Sequence, residues 1–237
     1  MNGWITLAGN LAILILLGSI VGFFHRRKFV PRWLAVSAAL LAVNDIVLTS
    51  AHGFFPDLIG GEWLWQGKLL AFGATLAIAA LPSFGWSRCG LRLSQQPGSM
   101  KTAIPVALLY CAYVTVIAFV FPQGKTNAEE VAFQLTMPGI EEETFWRGLL
   151  LLSLDQALTG RKRFLGVDWG WGAVLACFMF GLGHALSFSD GRFSFDALTL
   201  ALTGLPSLVA VWLRLRTESL LLPILLHNFG NTLSLFV

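Results

Sequence analysis

Three consecutive glutamates, Glu141, Glu142 and Glu143, stand in the run Pro138-Gly139-Ile140-Glu141-Glu142-Glu143-Thr144-Phe145-Trp146-Arg147, with apolar sequence on either side. Two histidines farther on, His184 and His227, are embedded in similarly apolar stretches, and Asn231 follows His227 by four residues. Ionisable groups at membrane depth are costly and mark partners or function. A carboxylate, two imidazoles and a carboxamide together make a hydrolytic set. The glutamate suits a general base, one histidine can hold and polarise a water, and the second histidine with Asn231 can stabilise a developing oxyanion.

Helical spacing sorts these groups. Glu143 and Arg147 are four apart with the acid on the N-terminal side, the better orientation for an ion pair. Glu142 is turned about 100° from Glu143 on the wheel, so it is the carboxylate expected to be free to face a cavity. Thr136 reads as an N-cap and Pro138 as an early helical position, which starts the helix near Met137 and leaves Glu141 close to solvent. Phe180 and His184 share a face at i,i+4, as do His227 and Asn231. Structural readings stand beside the chemical ones. A single intramembrane histidine equally serves to bond a neighbouring helix. Asn44-Asp45 reads as an interhelical contact or pocket wall, and Ser153 and Asp155 as residues meeting water at a helix end.

The elements that must position these residues follow from composition. The 237 residues are 56% hydrophobic and only 12% charged, against about 25% charged in soluble domains. Eight apolar segments are each about long enough to cross a hydrocarbon core: Ile5–Phe24, Trp33–Thr49, Leu69–Phe84, Ala103–Phe121, Pro138–Leu158, Trp169–Leu186, Leu198–Leu213 and Leu220–Val237. The expected fold is all-α and polytopic, with about eight transmembrane helices. Twelve of the sixteen basic residues fall in alternate loops, around Arg26–Arg32, Arg88–Lys101, Arg161–Arg163 and Arg214–Arg216. The positive-inside rule makes those loops cytoplasmic and puts both termini outside. By that count Lys68 belongs to an outer loop. Cys89, Cys111 and Cys177 show no pairing or metal spacing. The polar stretch Ser87–Lys101 reads as a hinge between an N-terminal three-helix membrane segment (1–101) and a unit holding every motif (102–237).

Taken together, Glu142-Glu143-x-x-x-Arg147, Phe180-x-x-x-His184 and His227-x-x-x-Asn231 resemble the three motifs of the CPBP family. That family comprises CAAX prenyl endopeptidases of the Ras-converting type and bacterial relatives linked to bacteriocin processing or immunity. The similarity covers about residues 102–237. It implies an intramembrane endopeptidase with Glu142 activating water, His184 positioning it, and His227 and Asn231 stabilising the oxyanion. Glu143, Arg147 and Phe180 support the site. No H-E-x-x-H helix is present, and a metal-free mechanism is favoured. The alternative is Zn²⁺ held by Glu142, His184 and His227 with an open fourth position.

The expected partners are the lipid bilayer and a membrane-anchored protein or peptide substrate, with no nucleic acid. The expected location is the bacterial plasma membrane. With both termini outside, the site falls in the outer half of the membrane, which favours an exported substrate. Two other readings remain open: a transporter using Glu142, His184 and His227 as a proton relay, and an immunity or partner-binding protein without hydrolysis.

Overall fold

In hydrocarbon a backbone must satisfy its own hydrogen bonds, so long apolar runs fold as helices. The computed structural model describes residues 2–50, 56, 58–122 and 124–237. Its helices are α1 (Asn2–Phe24), α2 (Pro31–Thr49), α3 (Trp65–Ala79), α4 (Met100–Val120), α5 (Ala128–Glu143), α6 (Leu151–Ala157), α7 (Trp171–Ala185), α8 (Ala197–Thr217) and α9 (Leu221–Leu233). A π-helical turn, Thr144–Leu150, joins α5 to α6 without a break. The rod from Ala128 to Ala157 is therefore about 45 Å long at 1.5 Å per residue. By length and composition, α1, α2, α4 and α8 can each cross a membrane, with mean hydropathies of 1.4–2.3. Helices α7 and α9 are apolar but shorter.

The helices turn apolar side chains outward as well as inward. Leu16, Phe24, Leu108, Leu109 and Phe119 are all more than half exposed. In water such a surface would aggregate; in a bilayer it is the lipid-facing coat. The chain is an integral membrane protein. Polar residues are instead drawn inside. Ser37 and Ser153 are fully buried and share a 2.8 Å hydrogen bond between α2 and α6. Ser153 thus does not meet water, because α2 covers its face. Asp155 likewise pairs with Arg161 at 3.2 Å.

Two short hairpins interrupt the all-α expectation. Strands β1 (Arg161–Phe164) and β2 (Val167–Gly170) pair antiparallel just before α7, so that helix starts at Trp171 rather than Trp169. Strands β3 (Leu186–Ser189) and β4 (Arg192–Phe195) pair between α7 and α8. Their turn residues Asp190 and Gly191 have φ of 52° and 76°, the backbone that a two-residue hairpin of the Asp-Gly kind needs.

The glutamate helix starts nine residues earlier than its sequence suggests. Asn127 is the N-cap and accepts from the Glu130 backbone N–H at 2.8 Å. Thr136 caps nothing: its hydroxyl donates to the Ala132 carbonyl at 2.7 Å. Pro138 lies inside the helix. The irregularity it creates is repaired from α9, where buried Asn228 accepts from the Gly139 N–H at 2.7 Å and donates to the Thr136 carbonyl at 3.3 Å. An early cap therefore puts the glutamates in mid-rod, and a neighbouring helix tolerates the proline.

Small residues set the close approaches. Gly181 of α7 faces Gly204 of α8, where an added Cβ would stand 2.9 Å from the Gly204 Cα. The basic loops gather at one end of the bundle. There the Thr159 N–H donates to the Lys28 carbonyl, the Gln96 N–H to Thr217 and the Leu220 N–H to Gly90. At the other end Glu129 Oε1 accepts from Glu62 N, Trp63 N and Trp65 Nε1. Phe133 packs on Trp63 and Trp65, so the start of α3 is fixed against the start of α5. A Cβ at Gly139 would lie 2.6 Å from the Ile224 carbonyl and also overlap Asn228. Gly139→Ala is expected to cost about 1–3 kcal/mol of stability, read from thermal unfolding in detergent. An unchanged midpoint would rule out this α5–α9 contact.

Candidate active site

Burial alone would make the glutamate run untenable, so each carboxylate is accounted for by a partner. Glu143 and Arg147 are both nearly inaccessible and sit 3.0 Å apart, the ion pair their spacing anticipates. Arg147 also donates to Ser207 Oγ at 2.9 Å and lies over the Phe180 ring at 4.0 Å. Glu143 Oε1 has a second partner, His227 Nδ1, at 2.7 Å.

Glu141 and Glu142 share a partner that sequence reasoning assigned to an outer loop. Lys68 is 8% exposed on α3, and its ammonium lies 2.7 Å from Glu141 Oε2 and 2.6 Å from Glu142 Oε1. Glu141 is therefore buried rather than solvated, and one oxygen of Glu142 is bound rather than free. The signal was present: Lys68 is the lone cation in the apolar sequence from Leu64 to Phe84. An intramembrane lysine needs a counter-charge.

The other oxygen of Glu142 is the focus of the arrangement. Glu142 Oε2 is buried and accepts no hydrogen bond among the described residues. It faces His227 Nε2 at 3.8 Å and His184 Nε2 at 4.0 Å. Both separations exceed a direct hydrogen bond and suit one bridging water. The tautomers follow from the far side of each ring. The Phe180 carbonyl, 2.9 Å from His184 Nδ1, can only accept, so that nitrogen carries the hydrogen. The Glu143 carboxylate does the same for His227 Nδ1. Each imidazole thus presents Nε2 toward Glu142.

Two cavities meet at this carboxylate. The larger, about 520 Å³, is lined by Tyr110, Tyr113 and Ile117 of α4 and Leu202 and Pro206 of α8, and reaches Glu142, His184, His227 and Asn231. The smaller, about 220 Å³, is lined by Thr6 and Asn10 of α1 and by Asn44 and Asp45 of α2, and reaches Lys68, Glu141, Glu142 and His184. The Asn44-Asp45 pair is thus a pocket wall. Asn231 lies on the larger cavity, with its amide donating to Gln134 Oε1 at 3.0 Å. All the sequence-selected site residues come together on these walls. Lys68 and Ser207 join them unannounced. Among the described residues no group of three or more His, Cys, Asp or Glu has the spacing to hold a metal ion. The Lys68 ammonium already occupies one oxygen of Glu142.

Residues 125–233 match a family model described as Rce1-like, type II CAAX prenyl endopeptidase Rce1-like. Over that segment the chain is similar to the Rce1-like family. The segment contains Glu142, Glu143, Arg147, Phe180, His184, His227 and Asn231, in agreement with the resemblance carried by the three motifs. No curated protein and no solved structure matches the chain. Lys68 lies outside the Rce1-like segment, on a helix that no motif marks.

Removing one partner from a buried ion cluster costs about 3–5 kcal/mol, because the remaining charges are left unpaired. Lys68→Met is expected to lower stability by that amount in thermal unfolding. Adding Glu141→Gln should restore part of it. Equal stability of wild type and Lys68→Met would exclude the cluster.

Proposed function

We propose that this chain is an intramembrane endopeptidase in which Glu142 activates the water that attacks a peptide bond. The observation that carries the reading is the Glu142 Oε2 atom. It is a buried acceptor without a donor among the described residues, set between two imidazole Nε2 atoms on the wall of a largely apolar cavity. Buried acceptors are almost always satisfied, and a water held there satisfies this one.

In the proposed reaction Glu142 takes a proton from that water while His184 Nε2 orients it. The resulting hydroxide adds to the substrate carbonyl. His227 and Asn231, on the same face of α9, line the cavity that receives the oxyanion. The proton held by Glu142 then passes to the leaving amine. Glu143 fixes the His227 ring, and Arg147 and Phe180 hold Glu143 and His184 in place. Lys68 binds Oε1 and so directs Oε2 toward the imidazoles. In this reading residues 102–237 carry the reaction, and residues 1–101 form a supporting membrane segment that supplies Lys68. The mechanism uses no metal, since a cation at Glu142 would meet the Lys68 ammonium. The substrate is a membrane-anchored protein or peptide whose apolar part enters the larger cavity.

The basic end of the bundle faces the cytoplasm of a bacterial cell in this proposal, with eight crossings and both termini outside. This proposal sets the site in the outer half of the membrane with an exported substrate, a reading supported by Thr6, Asn44, Lys68 and His184, which lie near the helix ends opposite the basic loops. Labelling of cysteines introduced at 161–163 by an impermeant thiol reagent is expected only after permeabilisation. Labelling in intact cells would reverse the orientation.

Glu142→Gln is expected to reduce cleavage by about 10²–10⁴-fold while keeping the fold. Comparing membrane proteomes of cells carrying wild type and Glu142→Gln should reveal an unprocessed substrate in the variant. A chelator should leave wild-type cleavage unchanged in a reconstituted assay. No accumulating substrate, together with solute or proton flux lost in Glu142→Gln, would instead establish a transporter.

A further inference from the structure

Far from Glu142, at the basic end of the bundle, a third cavity of about 370 Å³ opens between α1, the β1–β2 hairpin and α7. Its rim carries Lys28, Arg161 and Lys162, all exposed. The neighbouring acids are already committed: Asp155 pairs with Arg161 at 3.2 Å and Asp168 with Arg163 at 3.3 Å. Lys28 and Lys162 have no ion-pair partner among the described residues. The Lys28 stem is steadied against Gly160, where a Cβ would lie 3.1 Å from Lys28 Cδ. Its backbone is tied by Thr159.

The walls below this rim are aromatic and apolar. Trp171 Nε1 donates to His25 Nε2 at 3.1 Å, which makes that ring nitrogen an acceptor and places the hydrogen of a neutral His25 on Nδ1. Trp169 also lines the cavity, and its buried indole N–H has no acceptor among the described residues. Val21 and Val174 form the apolar side, and exposed Ile20, Phe24 and Val174 continue along α1 and α7. Tryptophans at such a height mark the membrane–water interface.

We propose that this cavity binds the phosphate headgroup of an anionic phospholipid, with its acyl chains lying along α1 and α7. Lys28 and Lys162 supply the uncompensated charge. A free phosphate ion shares the headgroup chemistry but would make no use of the apolar wall. Basic pockets between helices on the cytoplasmic side are suited to anionic headgroups. The site is independent of the protease reading, since none of its residues touches Glu142 or the cavities around it.

Native mass spectrometry of the detergent-solubilised full chain tests it, using phosphatidylglycerol, phosphatidylcholine and inorganic phosphate as probes. Wild type should retain one phosphatidylglycerol in preference to phosphatidylcholine. Lys28→Gln/Lys162→Gln should lower that retention at least tenfold. Arg27→Gln/Lys101→Gln, which removes the same charge from the same end, should leave it unchanged. Equal loss in both variants, or no preference over phosphatidylcholine, would overturn the proposal. Displacement of the lipid by millimolar inorganic phosphate would show an anion site without lipid recognition and overturn it as well. All four substituted side chains are exposed, and matched unfolding midpoints would confirm that neither variant is misfolded.

Discussion

Charge neutralisation in a low-dielectric interior is the constraint on which the rest of this structure depends. Glu141, Glu142 and Glu143 are consecutive on one helix, and two cationic side chains, Lys68 and Arg147, meet them from opposite directions. Three carboxyl groups face two cations, and Glu141 Oε1, Glu142 Oε2 and Glu143 Oε2 are left without hydrogen-bond partners among the described residues; of the three, Glu142 Oε2 is the one that faces both imidazole Nε2 atoms. The helix packing follows from this need. The start of α3 must sit beside α5 to deliver Lys68, α8 must approach closely enough for Ser207 to reach Arg147, and α9 must bring His227 to Glu143. A buried ion cluster of this kind is poor as a source of stability and good at specifying one arrangement.

The π-helical turn belongs to the same constraint. It begins immediately after Glu143 and contains Arg147, and wide turns of this type occur mostly at functional positions. Pro138 removes one backbone donor from the helix just before the glutamates, so the α-helical hydrogen-bond ladder is altered on both sides of them. Asn228 compensates on one side and the Arg147 contacts with Ser207 and Phe180 on the other. The site is thereby held by side chains of neighbouring helices as much as by its own rod.

Local spacing made a good part of this legible. The Glu143–Arg147 pair and the shared faces of Phe180 with His184 and of His227 with Asn231 are i,i+4 relations, and short-range helical geometry reveals such relations directly. The Lys68 contact is not of that kind. It joins residues 73 and 74 positions apart, and only the oddity of a lysine in apolar sequence hinted at it. Pro138 resembles a first-turn proline and so disguises the true helix start. The better signal was Asn127 followed three residues later by Glu130, a capping pattern. The second hairpin carries a turn signal, Asp190-Gly191, that the all-α expectation passes over. The first, turning on Leu165-Gly166 with Leu165 at a φ of 49°, carries no such signal, since leucine seldom adopts that backbone.

The two cavities that meet at Glu142 have one further consequence. Their outer walls come from different helices, α4 and α8 for the larger and α1 and α2 for the smaller, and among the described residues they share Lys68, Glu142 and His184 at their junction. A molecule that fills the larger space therefore leaves the carboxylate reachable through the smaller one. Occupancy and hydration of the centre are separable properties of this molecule, adjustable through different helices. A compound that blocks the broad side and a substitution that dries the narrow side would silence the same carboxylate by unrelated routes.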